Sequence, residues 1–447
     1  MALDSLTDTY LASPTLAACF GADATVAQML AFEAALAAAQ ASLGLIPAEA
    51  ARAIEDCCRA APVDVAGVLR DTAASSTPAI PLVQQLTVAV AARDGAAAHY
   101  VHWGATSQDV MDTASMLAAR DGLVLLAERL AQCMEALAGL ARRERDTLMV
   151  ARTLAQHALP TTFGYKAALW LNALLDLAER LDATRACLPL QFGGAAGTLA
   201  AYGDAGPALR DALAAALGLE ARLPWHTDRT VVRELAALLA ALCAAAGKIG
   251  HDLVLEMQSE VAELQEGGGA GRGGSSAMPH KRNPVAAMAV TAVARRAPGL
   301  LATVFASFDH DHERASGAWH AEWLALRELF VAAGAALEQL AVALGGLEVR
   351  ADAMRAHLEA GGGRVMAEAA SMALAPALGR VAAQAVVKRA LMRVDANRGL
   401  AGALAAEPEV RDLADALDLA RGLDPRAYLG AAGEFTDQVL ARHAART

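Results

Sequence analysis

The sequence predicts an all-α protein with a bundle of long helices at the centre of the chain and a smaller helical domain on either side. Three observations carry this expectation. Alanine, leucine, glutamate and arginine dominate while runs of β-branched residues are scarce, which favours helix throughout. Apolar residues recur at helical spacing over two very long stretches. Proline and glycine clusters break the chain between these stretches.

In chain order, the proline-bearing run Ser75-Ser-Thr-Pro-Ala-Ile-Pro81 interrupts the N-terminal region. Between Asp112 and Asp146, the residues Leu123, Leu126, Leu130, Cys133, Leu137 and Leu140 follow steps of 3, 4, 3, 4 and 3, the seam of a helix bundle. A second long helix is expected from about Thr230 to Glu266, with Leu235, Leu239, Leu242, Ala246, Ile249 and Leu253 on one face. At 1.5 Å per residue it would be about 55 Å long. One small domain cannot cover helices of that length, so they point to the core of an oligomer. The glycine tract from Gly267 to Gly274 ends the second helix, and Gly361-Gly-Gly363, after Gly345-Gly346, opens a C-terminal helical segment. These breaks divide the chain into residues 1–108, 109–350 and 351–447. No internal repeat is apparent.

The chain has 447 residues, of which 55% are hydrophobic, too many for a disordered protein. Its 38 Lys+Arg against 49 Asp+Glu give a formal charge of −11, which argues against a nucleic-acid or anionic-membrane binder. The first residues carry acids where a signal peptide needs a basic and then an apolar stretch. The longest charge-free run, Thr72 to Ala92, is interrupted by proline, serine and glutamine and makes a poor membrane span. Six cysteines, with Cys57 and Cys58 adjacent, do not form a disulfide framework. A reduced, soluble, cytoplasmic protein is expected.

Three segments have the residue types for chemistry. In the first, His102-Trp-Gly-Ala-Thr-Ser-Gln-Asp-Val-Met-Asp-Thr113, Thr106 and Asp109 have capping-box spacing. Thr106 and Ser107 would then stand at a positive helix N-terminus beside free amides, a place that suits a carboxylate. An ordinary capped helix with a buried His102 and Trp103 has the same pattern. In the second, Arg152-Thr-Leu-Ala-Gln-His-Ala-Leu-Pro-Thr-Thr-Phe-Gly164, a polar loop carrying Gln156 and His157 is expected to lead into a helix capped by Thr161 or Thr162. His157 could be an acid, a base, an anion ligand or simply structural. The third, Gly271-Arg-Gly-Gly-Ser-Ser-Ala-Met-Pro-His-Lys-Arg-Asn-Pro284, is the strongest. It joins mobile glycines to two hydroxyls and to the run His280, Lys281, Arg282, and then ends on Asn283 and Pro284, which read as the cap and first residue of the next helix. Such a loop can close over a substrate and exclude water.

Two apparent motifs do not stand. Gly269-x-Gly271-x-x-Gly274 has the dinucleotide spacing but follows a helix instead of a strand. His310-Asp-His-Glu313 lacks a second set of ligands at metal-site spacing, so no metal is assigned.

In this order, and separated by long helices, the three segments resemble the signature regions of the fumarase/aspartase superfamily, and Gly274-Ser-Ser-Ala-Met-Pro-His-Lys-Arg-Asn-Pro284 resembles its signature loop closely. The resemblance covers essentially the whole chain. It implies an all-helical homotetramer around a twenty-helix bundle, active sites shared between subunits, no organic cofactor, and proton transfer alpha to a carboxylate through an aci-carboxylate. Within the superfamily, the first segment resembles the bacterial 3-carboxy-cis,cis-muconate cycloisomerases. So do Ile80-Pro-Leu-Val-Gln-Gln85, Trp225-His-Thr-Asp-Arg229 and Glu313-Arg-Ala-Ser-Gly-Ala-Trp-His-Ala-Glu-Trp323. Adenylosuccinate lyases share the loop style but carry Thr-His where this chain has Thr153-Leu154. A non-catalytic protein of crystallin type is a remote alternative within the same superfamily. The resemblance implies a tricarboxylate substrate. It implies proton transfer by Ser275, with Ser276 as second choice, and carboxylate binding by Lys281, Asn283 and Arg314. Thr106, Ser107, Thr153 and Gln156 would supply neutral hydrogen bonds, and His102 and His157 would orient the substrate or relay protons.

Overall fold

The structure is a computed structural model that describes residues 6–60, 63–267, 273–274, 277–278, 280–395, 397–413 and 419–446. It is predominantly α-helical. The helices of ten residues or more are α1 (Ala22–Ser42), α2 (Ala48–Ala60), α3 (Val65–Ser75), α4 (Ala79–Arg93), α5 (Ser107–Arg143), α6 (Phe163–Ala186) and α7 (Gly206–Leu217), followed by α8 (Thr230–Glu256), α9 (Val285–Ala306), α10 (Ala318–Gly345), α11 (Ala351–Ala360), α12 (Ala367–Leu378), α13 (Arg380–Leu391) and α14 (Ala432–Arg446). Two small antiparallel pairs accompany them: β1 (Leu148–Thr153) with β2 (Gln156–Thr162), and β3 (Leu264–Gln265) with β4 (Glu348–Val349).

The proline-bearing break falls where expected. α3 ends at Ser75, Ser76 takes φ 59°, and α4 begins after Pro78 with Pro81 in its first turn. The seam of α5 is buried throughout, from Leu123 to Leu140. Continuous burial on one face is what an unbroken 3-4 spacing produces.

The second long helix ends ten residues earlier than its apolar pattern suggests, at Glu256 instead of Glu266. At 1.5 Å per residue α8 is therefore about 40 Å long. The chain turns through Gln258 and Val261, and Ala262 enters the left-handed region at φ 48°. Glu263 is drawn into an ion pair with Arg152, and Leu264–Gln265 then pair with β4. The stop is set by these distant partners, while the sequence carries no proline or glycine between Glu256 and Gly267.

The chain folds as two compact units, each interleaved in sequence. The first comprises Met1–Leu130, Leu177–Gly247 and Ala289–Gln339. In it α1, α2 and α4 enclose a core that includes Ala37, Ile46, Ile54, Leu86 and Val90. The second comprises Ala131–Asp176, Lys248–Met288 and Leu340–Thr447. Its core packs Val150 of β1 with Leu358 of α11, Leu374 of α12, Val386 of α13 and Leu400. Burying side chains of this size contributes about 1.5–3 kcal/mol each, which offsets the entropy of fixing the strands and turns they support.

Candidate active site

In the first unit the site is organised by the start of α5. Half of the expected capping box forms: the Thr106 amide donates to Asp109 Oδ2 at 3.2 Å. The other half is replaced, because Thr106 Oγ1 accepts a 2.7 Å hydrogen bond from Arg314 Nη1. Asp109 also accepts from the amides of Gly193 and Gly194, both at 2.9 Å, and from Gln191 Nε2 at 3.1 Å. Burial pushes its carboxyl up to about 6 against the pull of these donors. Asp109 thereby fixes the Gly193–Gly194 turn beside the helix end. Arg314 completes the arrangement by donating to the Ala195 carbonyl at 3.1 Å. Its Nε is buried without a partner. Among the described residues, the amides of Ser107 and Gln108 have no hydrogen-bond partner. Thr106, Ser107 and Arg314 are thus brought together at the positive end of a helix, with donors to spare for an anion.

His102 stands just before this helix, in the left-handed region at φ 55°. Its Nδ1 lies 2.6 Å from Glu33 Oε1 of α1. Burial works to lower the imidazole pKa, but the charge and hydrogen bond of Glu33 outweigh it and raise it. His226 shares the unit, and its ring packs against Gly197. A Cβ there would lie 2.2 Å from the ring, and Gly197 has φ +79°, so the position requires glycine on both counts. Burial and the nearby Arg314 lower the His226 pKa.

A buried ion network joins three of the segments quoted from the sequence, His102–Thr113, Trp225–Arg229 and Glu313–Trp323. Arg229 donates to Asp112 at 2.6 and 3.0 Å and to Glu322 at 2.8 Å. Trp319 Nε1 donates to Asp112 at 3.0 Å, and His310 Nε2 lies 2.9 Å from Glu322. His310 is therefore engaged with a carboxylate of this network. Among the described residues no group of three His, Cys, Asp or Glu side chains is placed to hold a metal.

In the second unit the Arg152–Gly164 segment departs from expectation. Thr153, Gln156 and His157 lie on the β1–β2 hairpin instead of in a plain loop. Leu154 and Ala155 form its tip with φ 50° and 63°. Two left-handed residues suit the right-handed twist of a hairpin. The Leu154 side chain is 98% exposed. The strand then enters α6, which Thr162 caps by accepting from the Tyr165 amide at 3.2 Å.

The hairpin is anchored from below. Arg152 donates through both guanidinium nitrogens to Glu263, at 2.9 and 2.8 Å, and His357 Nδ1 lies 2.7 Å from the same carboxylate. Burial would raise Glu263, but the hydrogen bonds from Arg152, Glu256 and His357 prevail and hold it low. Its neighbour Glu256 is pushed up, first by burial and then by Glu263, while pairing with Lys166. The His157 ring lies 6.2 Å from that of His357. Burial, Arg152 and His357 all lower its pKa, so His157 is neutral at neutral pH and able to accept a proton.

Of the signature loop, Ser275 and Ser276 lie outside the described residues, as do Gly269 and Gly271. The base of the loop is closed by the Asn283 amide, which donates to the Gly273 carbonyl at 2.8 Å. Gly273 has φ +72°, and a Cβ there would lie 2.6 Å from the Asn283 oxygen. The helix that follows begins at Val285, so Pro284 takes the flanking position expected of Asn283. Its cap comes instead from Glu266, which accepts from the Ala286 and Ala287 amides at 3.2 and 2.8 Å. His280, Lys281, Arg282 and Asn283 line a cavity of about 770 Å³ with Glu266, Glu348 and Arg350. Thr153, Gln156 and His157 are not among its lining residues. Within this unit Lys281 and Asn283 form one group and the hairpin residues another.

Sequence reasoning passed over Glu33 and Glu263. Glu33 did leave a signal, as an acid on the buried face of α1 in register with Met29, Leu36 and Gln40. Glu263 left none, because its partners Arg152 and His357 lie about a hundred residues away in either direction.

A predominantly helical chain with unused donors at a helix N-terminus, a polar hairpin and a cationic segment leading into a helix has the features of a lyase of the fumarase/aspartase kind. Residues 7–299 match the lyase family model, and residues 363–439 match the model of the adenylosuccinate lyase C-terminus. The chain is 45% identical over 442 residues to the 3-carboxy-cis,cis-muconate cycloisomerase of Bradyrhizobium diazoefficiens, covering 98% of each chain. It is 42% identical over 453 residues to the nitrosuccinate lyase of Streptomyces davaonensis, covering 98% of this chain and 96% of that one. The crystal structure of the 3-carboxy-cis,cis-muconate lactonizing enzyme from Pseudomonas putida superimposes with a TM-score of 0.90 at 40% identity, covering 98% of this chain and 99% of the other. The chain belongs to the fumarase/aspartase superfamily of lyases.

Proposed function

We propose that this chain is an intramolecular lyase that interconverts 3-carboxy-cis,cis-muconate and 4-carboxymuconolactone in protocatechuate degradation by the β-ketoadipate pathway. The observation that carries this reading is the near-full-length likeness to the Bradyrhizobium cycloisomerase, 45% identical over 98% of both chains. Leu154 supports it, because leucine cannot replace the histidine that adenylosuccinate lyases carry at that position.

In the lactonising direction one substrate carboxylate adds through oxygen to a double bond conjugated with a second carboxylate. The π electrons move onto that second carboxylate, giving an aci-carboxylate, and a proton is delivered to its alpha carbon. Ser275 delivers it, with Ser276 as second choice. In reverse the same group removes the proton, which demands a stabilised alkoxide supported by loop amides and cations in a dry site. Lys281 and Asn283 hold carboxylates and the developing charge. Arg314, Thr106, Ser107 and His102 bind another carboxylate at the helix end, where the donors described above remain unused. Thr153 and Gln156 contribute neutral hydrogen bonds, and His157, neutral at pH 7, relays protons. No organic cofactor or metal takes part. These cations overrule the net charge of −11 locally.

The proposal includes a cytoplasmic homotetramer with active sites shared between subunits, and the division of the chain near residues 108 and 350. Apolar helix surface supports the assembly. The most apolar stretch of α9 is only 33% buried, and Met288 and Phe305 on it are about half exposed. By length and composition α8, α9 and α10 could each cross a membrane. Each also carries charged residues at intervals, such as Lys248 and Asp252 on α8 and Arg295 and Arg296 on α9, which fits packing against further copies of the chain.

A lyase acting on nitrosuccinate is the second reading, favoured by the 42% identity to the Streptomyces davaonensis enzyme. Turnover of the diene in D2O, followed by proton NMR, separates the two. The proposal requires a lactone carrying one deuterium at the alpha carbon. Recovery of unreacted diene alongside cleavage of nitrosuccinate would establish the second reading.

A further inference from the structure

Glu33 is one of only two charged residues in α1, the other being Asp23 in the first turn. It lies among Met29, Phe32 and Leu36 and is itself 1% exposed. A carboxylate in such a place is strongly penalised unless a cation accompanies it. Its Oε1 lies 2.6 Å from His102 Nδ1, and its Oε2 is buried without a partner. His102 is held in register for this contact by the residue that follows it: the Trp103 carbonyl accepts from Tyr202 at 2.6 Å and from Gln40 of α1 at 2.8 Å. The left-handed φ of 55° at His102 is sustained by these bonds.

The other groups facing this pair leave the cation to His102. Asp109 of α5 adds a second negative charge. The Cys58 thiol of α2 is pushed up to about 12 by burial and by Glu33, so it stays neutral. The Tyr202 phenol is likewise raised, first by burial and then by Asp109. With Nδ1 committed to Glu33, the Nε2 of His102 has no hydrogen-bond partner among the described residues.

We infer that Glu33 is a positioning residue that holds His102 as an imidazolium, so that its uncommitted Nε2–H serves as a charged donor to a substrate carboxylate and not as a proton carrier. The inference rests on the proposed function for the identity of the anion, and it separates the roles proposed for His102 and His157. His102 is a fixed cation paired with Glu33, while the neutral His157 is the one suited to move a proton.

Histidine ring hydrogen–deuterium exchange, read by mass spectrometry on the intact enzyme without substrate, reports the titration of each histidine. His102 is expected to titrate above the ordinary value of about 6.5, and in Glu33→Gln to fall back to it or below. In steady-state kinetics at pH 7.5, E33Q should raise KM about tenfold, the scale of a hydrogen bond to a charged group. It should leave kcat nearly unchanged, and the deficit should narrow toward pH 6 as the released imidazole protonates. Glu33→Asp should restore part of the affinity. A wild-type His102 that titrates at or below the ordinary value overturns the inference, and so does a titration unmoved in E33Q. A loss confined to kcat would make His102 a proton carrier and overturn it as well. The exchange measurement on the wild type decides the matter even if E33Q does not fold. Needing no substrate, it stands or falls separately from the assigned reaction.

Discussion

At Asp109 burial and hydrogen bonding pull in opposite directions. Four donors favour its ionised form, yet complete burial raises the carboxyl to about 6, above the value near 3.9 expected in an unfolded chain. The folded protein therefore holds this proton more tightly than the unfolded chain does. The resulting stabilisation is complete below about pH 4 and is lost as pH rises through about 6, a change of roughly 3 kcal/mol. Asp109→Asn cannot titrate, so its own stability lacks this pH-dependent part, and the penalty of facing its amide toward the Gly193 and Gly194 donors does not itself change with pH. The stability of the wild type relative to this variant, from urea midpoints, should fall between about pH 4 and pH 6; a constant difference would contradict the assignment. At the proton-transfer position, Ser275→Ala should abolish nearly all turnover while leaving the assembly intact by size-exclusion chromatography. An active Ser275→Ala enzyme would defeat that role.

Among the elements, those set by local repetition were legible and those set by distant partners were not. The α5 seam could be read from spacing alone, because every step of three or four returns an apolar side chain to one face. The end of α8 could not, since it depends on Glu263 meeting Arg152 and His357. The β1–β2 hairpin was hidden because its turn is Leu154-Ala155 and lacks the Asn-Gly or Asp-Gly pair that marks such turns. Leu154 at that tip tests the substrate assignment. Leu154→His should not improve cycloisomerisation, and a large gain in kcat/KM would mean the second segment works as in the adenylosuccinate lyases. The cap of α9 tests the loop. Glu266→Ala removes the carboxylate that accepts from the Ala286 and Ala287 amides and should cost about 1 kcal/mol. Amide exchange should quicken at those two residues, and unchanged exchange would show that the cap does not hold the helix.

For the molecule as a whole, composition and helix length indicated an all-helical chain with helices too long for one small domain to cover, and the long helices α8, α9 and α10 do keep apolar surface exposed. Light scattering should accordingly give four times the chain mass, and a monomer at micromolar concentration would contradict the shared-site arrangement. Three segments pointed to the chemistry because their residue types are unusual together. Their grouping was not legible, since contacts such as Arg314 to Thr106 join residues 208 positions apart. The central claim is the reaction itself, and an ultraviolet assay tests it most directly. The purified chain, with no metal or cofactor added, is given 3-carboxy-cis,cis-muconate beside parallel samples of nitrosuccinate and adenylosuccinate. Rapid loss of the diene absorbance, with the other two untouched, is the predicted result; an inert diene with either of the others cleaved would contradict it.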